Sequence, residues 1–563
     1  MSARPHLARA CRLFALIASM VGGEAQRTAA QGTDSVRQAI DHVFDKWHSS
    51  DGPGCAVGVS RNGQVVLEQG YGMANLETMT PIRPTSIFQV ASISKQFTAT
   101  AIMLLEQDGK LSLDDDIRQY LPEIPNYGST ITIRHLLTHT SGLRDQWELL
   151  YLARGRFEED RITEADVLDI ITRQTALNFT PGTESLYDNT GYTLLGVIVK
   201  RITGKSLRQF AADRMFEPLG MTSTHFHDDY TMVVPGRTSA YESRVGADGP
   251  WRVSTPNYDV YGATNLFTTV DDLLKWEGNF DHPIVGDAAM LARMQVPATL
   301  PTGDTTEYGP GLRRIRMYRG ARVVESTGND PGYQAYLARY PDQKVAIAVT
   351  CNAGSAASPT GLAHGVADVI LAGALAPRAA SVTQAGIAIP VDRLQSRVGV
   401  YVQPTTLAIV RLVMRDSHLA FDGRSGPTLI PLAANSFAVS GEGGEIVFGD
   451  GEHAGFERRS SGQRPVPFVR QESKTPSAAV LRRYAGEYVS DELGGAVYHV
   501  TASDSVLLLR TATAGPLTAH LMFADTFVAG GYTIQFTRTN GEGLAGFEIT
   551  NPRMRRVKFR KRS

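Results

Sequence analysis

Ser92 and Lys95 stand three apart in Phe88-Gln-Val-Ala-Ser-Ile-Ser-Lys-Gln-Phe-Thr-Ala99, at the start of an apolar run with helical spacing. Residues three apart share a helix face, so the Ser92 hydroxyl and the Lys95 amine can meet, while Ser94 points elsewhere. A serine hydroxyl is a weak nucleophile until a base takes its proton, and a desolvated lysine is such a base. The helix N-terminus adds backbone N–H groups that can face a developing oxyanion. Ser-x-x-Lys alone occurs by chance on many exposed helices, so its weight depends on partners.

Two partners are present. Tyr187-Asp188-Asn189 lies in Ser185-Leu-Tyr-Asp-Asn-Thr-Gly-Tyr-Thr-Leu-Leu-Gly196. A tyrosine beside a lysine ammonium can shuttle protons, and an asparagine two residues on can hold a substrate amide and the lysine together. The bland alternative for this tripeptide is a surface turn. The second partner is Glu325-Ser326-Thr327-Gly328-Asn329-Asp330-Pro331-Gly332-Tyr333, at a strand end. A substrate could pair alongside it, and backbone N–H groups near Gly328 and Asn329 could bind an oxyanion. The bland alternative here is a hairpin turn.

The elements that must position these groups follow from apolar spacing. Val36, Ile40, Val43, Phe44 and Trp47 predict an amphipathic helix over 34–48. Cys55–Ser60 and Gln64–Gln69 flank Arg61-Asn62-Gly63 as a hairpin. The Ser92 helix runs to about Glu106 and stops at Asp108-Gly109. Residues 110–300 read as mostly helix and loop. Val323–Ser326, Gln334–Tyr340 and Lys344–Cys351 read as strands, and Gly361–Leu375 as a closing helix. This order describes an antiparallel sheet whose first and last strands meet in the middle, with helices flanking it. The start of the first strand then lies near the end of the last, which places Cys55 beside Cys351 for a disulfide.

The chain has 563 residues and the composition of an ordinary globular protein. Arg4, Arg9 and Arg12 precede the short apolar run Leu13–Val21 and then Gly23-Glu24-Ala25, the pattern of a cleaved export signal over 1–25. A periplasmic or secreted location is the expectation, with no membrane-spanning segment after signal removal. Without those residues 53 basic and 56 acidic side chains remain, a net of −3. Seven of the basic ones fall within Arg553–Arg562, so the body is acidic, which argues against nucleic acid as a partner. That basic tail reads as the solvated face of a final strand, with Val557 and Phe559 alternating with Arg556, Lys558 and Arg560. His225-Phe-His227-Asp228-Asp229 is the nearest approach to a metal site, and it follows a loop-like segment; no metal or cofactor is expected.

Residues 376–391 read as a linker, and the remainder repeats. Leu394-Gln-Ser-Arg-Val-Gly-Val-Tyr401 matches Leu481-Arg-Arg-Tyr-Ala-Gly-Glu-Tyr488, Phe437 matches Phe527, and Gly455-Phe456 matches Gly546-Phe547. The offset stays between 87 and 91 residues. Two copies rich in short strands predict two small all-β antiparallel barrels, over 392–472 and 478–563.

Together Phe88–Ala99, His135-Leu-Leu-Thr-His-Thr-Ser-Gly-Leu143, Tyr187–Gly196 and Gly328–Tyr333 resemble the penicillin-recognising serine hydrolases. The likeness is greatest to the branch with class C β-lactamases, D-aminopeptidases, D,D-peptidases and related esterases. It implies an α/β (α+β) β-lactamase-like domain over 34–375. It also implies Ser92 as acylated nucleophile, Lys95 as its partner and Tyr187 as proton shuttle. Asn189, Ser326, Thr327, Gly328 and Asn329 would meet the substrate, with the oxyanion held by the N–H of Ser92 and one near Asn329. His139 would brace the fold rather than act as a base. In that branch the third motif usually begins with Lys or His, and here Ser326 stands there. Serine offers only a neutral hydrogen bond, which argues against substrates bearing a carboxylate unless Arg313 or Arg314 restores the charge. Two lipocalin-like barrels after the catalytic domain are the layout of the D-aminopeptidase group, in which a barrel loop restricts the active site.

The expected function is an exported serine hydrolase of small esters or short D-amino-acid peptides or amides. The alternatives are a class C-type β-lactamase or D,D-carboxypeptidase and, from another class, a catalytically silent ligand-binding or sensor protein.

Overall fold

The computed structural model describes residues 34–562, apart from 156–159, 245–249, 379–386, 424–425, 441–443, 452–453, 461–463, 474–475, 513–514 and 540–542. The leader over 1–25 and part of the linker therefore lie outside the described residues.

Six antiparallel strands form the central sheet. They are β1 (Cys55–Arg61), β2 (Gln64–Tyr71), β3 (Arg314–Tyr318), β4 (Ala321–Asp330), β5 (Tyr333–Tyr340) and β6 (Val345–Cys351). Their order is β3-β4-β5-β6-β1-β2, so the first and last strands do meet inside the sheet. β3 was not anticipated; its exposed Arg316 and Met317 break the apolar alternation of a buried strand. β1 is buried on both faces, and its side chains alternate between two cores. Cys55, Val57 and Val59 face α1 (34–43) and the closing helix α5 (Pro359–Ile370). Ala56 faces the helical body, and Gly58 lies against Val270 and Leu274. The sheet is thus the middle of three layers, with terminal helices behind and the helices of the 88–300 insert in front.

Three helices of that front layer carry the site: α2 (Ser94–Gln107), α3 (Gln146–Arg154) and α4 (Thr190–Thr203). α2 is buried along nearly its whole length because it runs through the middle of the body. The Ser92 helix thus begins two residues later than the sequence indicates, at Ser94, after a 3-10 turn over Ala91–Ile93.

The repeat over the last third is structural. An eight-stranded, near-closed barrel covers Gly399 to Gln471, and a closed eight-stranded barrel covers Gly486 to Lys561. In each copy the matched tyrosine donates its hydroxyl to the carbonyl four residues back, Tyr401 to Arg397 and Tyr488 to Tyr484, both at 2.8 Å. The copies differ in how they dock. The first barrel has its own core around Phe437, Phe448 and Phe456. The second shares one continuous core with the front layer of the first domain.

Cys55 and Cys351 are register partners on β1 and β6 and are joined by a disulfide. It closes a loop of 296 residues, which restricts the unfolded chain. Urea melts with and without reductant should therefore differ by about 2–4 kcal/mol. Cys351→Ser should remove that difference, and identical melts for the native protein would contradict it.

Candidate active site

β4 outruns its neighbour. β3 pairs only as far as Glu325, so Ser326–Asp330 keep β5 on one side and leave a free strand edge on the other. That edge lies against the turn carrying Ser92. The approach requires Gly328, since a Cβ there would sit 2.1 Å from the Val90 carbonyl. Ala91, just before Ser92, holds a left-handed φ of 47°, a strained setting of the kind found beside reactive groups.

Ser92, Lys95 and Tyr187 converge here. Ser92 Oγ lies 2.6 Å from Tyr187 Oη, and Lys95 Nζ lies 2.8 Å from Tyr187 Oη and 3.3 Å from Ser92 Oγ. Nζ also lies 2.8 Å from Asn189 Oδ1 and 2.6 Å from the Ala263 carbonyl. Those last two are pure acceptors. A neutral amine has two N–H bonds and one lone pair, so both hydrogens go to the carbonyls and the lone pair faces the hydroxyls. Burial, helped by the Arg553 charge nearby, lowers the Lys95 pKa to about 7 against the pull of Asp330, Asp145 and Asp188. Burial raises the Tyr187 phenol, which keeps it protonated at neutral pH. A proton can then pass from Ser92 through Tyr187 to Lys95.

The residues behind the triad fix these positions. Asp145 caps α3 through Trp147 N and receives both N–H groups of Asn189, each at 2.8 Å. His139 accepts the Asp188 N–H at 3.2 Å and packs on the Tyr187 ring, with centroids 4.8 Å apart. Burial lowers its pKa, and the ring lies between Tyr187 and Tyr192.

A cleft of about 790 Å³ opens over Ser92. Thr327 and Asn329 line it, and aromatic walls come from Trp147, Tyr258, Tyr308 and Tyr532. The third motif needs correction at two places. Ser326 does not reach the cleft. Strand alternation turns it inward, where it is buried and its Oγ donates to the Leu312 carbonyl at 2.9 Å. Gly328 shares that inner face and serves through its lack of a side chain. Asn189 lines the cleft, but both ends of its amide are already bonded, to Lys95 and to Asp145.

Arg313 is buried against Glu277, far from any role as a substrate cation. Arg314 lines the cleft, yet its guanidinium bonds Tyr308 Oη and pairs with Glu307 at 3.1 Å. His225 lies in a short strand, His225–Phe226. Among the described residues no group of three His, Cys, Asp or Glu side chains is placed to hold a metal.

The resemblance implies a barrel loop at the active site, and the second barrel supplies it, through residues the sequence did not single out. Its last two strands, β7 (Leu544–Asn551) and β8 (Met554–Lys561), turn through Asn551-Pro552-Arg553 at the cleft. The Arg553 carbonyl accepts from Asp145 N and from Asn178 Nδ2, and Asn551 Nδ2 donates to Glu148. Arg144 is buried and reaches the Arg555 and Arg556 carbonyls at 3.0 Å, Gln174 at 2.7 Å and Glu492 at 2.9 Å. The solvated-face reading of the basic tail holds for Arg556, Lys558 and Arg560, whereas Arg553 and Arg555 face the first domain. Asp145 had a local signal, an acidic N-cap before an apolar helix. Arg553 had none.

A protein-family model described as Beta-lactamase matches residues 36–370. A D-aminopeptidase of Gluconobacter oxydans is 30% identical over 308 residues, 54% of this chain and 57% of that protein. A D-aminopeptidase of Cereibacter sphaeroides is 29% identical over 343 residues, 61% of this chain and 63% of that protein. This chain thus spans less than two thirds of either relative. A solved structure of the octameric penicillin-binding protein homologue from Pyrococcus abyssi superposes with a TM-score of 0.53 at 23% identity, over 77% of this chain and 99% of that one. At that identity the likeness speaks for the fold.

Arg144→Met should lower stability by about 3–5 kcal/mol, because it strands the buried Glu492 carboxylate. Chemical denaturation reads this directly. Pairing it with Glu492→Gln should recover part of the loss, and a purely additive double variant would refute the coupling.

Proposed function

This chain belongs to the Beta-lactamase family of serine hydrolases, and from that premise we infer that it hydrolyses D-amino-acid amides or short D-amino-acid peptides through a Ser92 acyl-enzyme. The observation that carries the reading is the hydrogen-bond pattern of Lys95, whose two acceptors and two hydroxyls suit a neutral amine. Ser92 Oγ attacks the substrate carbonyl as its proton moves through Tyr187 toward Lys95. The backbone N–H groups of Ser92 and Asn329 are assigned to the oxyanion. The C–N bond breaks, and the same relay returns the proton to the departing nitrogen. Water then releases the acyl group by the reverse path. The D-configured acyl group rests on the two D-aminopeptidase relatives. Thr327 and Asn329 on the free strand edge are assigned to substrate pairing.

D-alanine p-nitroanilide and p-nitrophenyl acetate, assayed side by side, test this reading. Ser92→Ala should lower anilide turnover by about 10,000-fold or more, and full turnover in that variant would defeat the assignment. Lys95 must be neutral to accept the proton, and its pKa is lowered to about 7. Anilide kcat/KM should therefore climb as pH rises through about 7 and level off above it. A profile flat from pH 5 to 9 would rule out lysine as the base.

We also propose export, supported by the basic-then-apolar leader over 1–25 and by the paired cysteines. N-terminal sequencing of the protein recovered outside the cytoplasm should begin at Gln26. An uncleaved chain retained inside would count against it.

A further inference from the structure

The charges around the cleft do not cancel locally. Among the residues lining it, Glu148 accepts from Tyr532 Oη at 3.0 Å and Asn551 Nδ2 at 2.6 Å. Glu242 accepts from Ser355 and from the Gly332 N–H, and Asp330 accepts from Thr264. Arg314 is held by Glu307 and Tyr308. Arg553 is different. Arg555 and Arg560 on the same hairpin are paired with Glu184 and Asp491. The Arg553 guanidinium has no ion-pair partner among the described residues and rests 5.0 Å from the centre of the Tyr187 ring.

Its backbone is fixed nonetheless. Asn551 Oδ1 accepts the Arg553 N–H at 2.9 Å, and Asp145 N and Asn178 Nδ2 bond its carbonyl at 3.3 and 3.2 Å. A cation is thus held on a pinned turn at the mouth of the cleft, beside the phenol that hands a proton to the leaving nitrogen. An anion one or two bonds beyond that nitrogen would come within reach of the guanidinium, which binds carboxylates through two parallel N–H groups.

We propose that Arg553 of the second barrel is a specificity residue that binds a free carboxylate on the leaving group. The preferred substrates are then dipeptides, a D-amino acid joined to a second residue whose α-carboxylate is unblocked, in preference to amides or esters. The inference rests on the acyl-enzyme reading above. Chemically, the Ser92 Oγ–carbonyl bond forms, the peptide C–N bond breaks, and the Ser92 proton ends on the departing amine. A free amino acid leaves from under Arg553, and water later cleaves the Ser92 ester.

The test compares D-alanyl-glycine with D-alanyl-glycinamide, which differ only in the leaving-group charge. The native protein should favour the acid by about tenfold or more in kcat/KM. Arg553→Met should bring the ratio near one, and Arg553→Lys should keep part of it. Loss of this cation also lets the Lys95 pKa rise, which slows both substrates alike, so the ratio isolates carboxylate binding. An acid-to-amide ratio near one in the native protein, or a ratio unchanged in Arg553→Met, overturns the proposal. Calorimetry on Ser92→Ala separates it from the acyl-enzyme reading. Tighter binding of the acid, lost when Arg553→Met is added, upholds Arg553 even if neither dipeptide is turned over and the proposed chemistry fails. Equal binding of acid and amide, or no binding of either, sinks the assignment of Arg553.

Discussion

The site depends on keeping water away from one amine. An exposed lysine is protonated at neutral pH and cannot accept the serine proton. Lys95 escapes this because α2 is buried through the middle of the front layer, which makes its charged form costly. Burial alone would leave the amine unsatisfied. Asn189 and the Ala263 carbonyl supply the acceptors, and the two hydroxyls supply the proton path. Carboxylates at Asp145, Asp188 and Asp330 pull the other way, toward the ammonium. Burial outweighs that pull, while Asp145 is held by Asn189 and Trp147 N, and Asp188 by Gly191 N at 2.6 Å.

That balance extends into the second barrel through two adjacent residues. Arg144 grips the far hairpin by its carbonyls, while Asp145 grips Asn189 and offers its own N–H to Arg553. One short segment therefore ties the roof of the cleft to the residue that positions the catalytic amine. The buried Arg144 and Glu492 pair need not add net stability. Its partners at Gln174, Thr175 and Lys558 N satisfy both buried charges across the contact.

Much of this was legible in short-range pattern. Ser92 with Lys95 and Tyr187 with Asn189 are readable because helix and loop spacing fix their geometry within a few residues. The Cys55–Cys351 pairing followed from strand order, since a sheet with its first and last strands adjacent leaves those ends together. Ser326 was misplaced for a reason the sequence did contain. Alternation along β4 sends Thr327 and Asn329 to the cleft and Ser326 and Gly328 inward, so a motif position is not a direction. Arg553 lay beyond such reasoning. Its own strand pattern describes a solvated edge, and the contacts that place it span more than 370 residues of chain.

The two barrels show what docking decides. In each copy an arginine between the last two strands reaches the catalytic domain. In the first, Arg464 reaches Thr302 and pairs with Asp304 at 3.2 Å, where the arginine is 63% exposed. Such a pair is screened and holds little. In the second, the connection is Asn551-Pro552-Arg553, wedged between Asp145, Glu148 and Asn178 beside a shared apolar core. The same module thus serves as a loosely held spacer in one copy and as a wall of the cleft in the other. The difference lies beneath the hairpin, where Arg144 and Asp145 are buried as Lys95 is. The Arg553 charge also lowers the Lys95 pKa, so a change at the hairpin acts on the proposed proton path as well as on the proposed carboxylate contact.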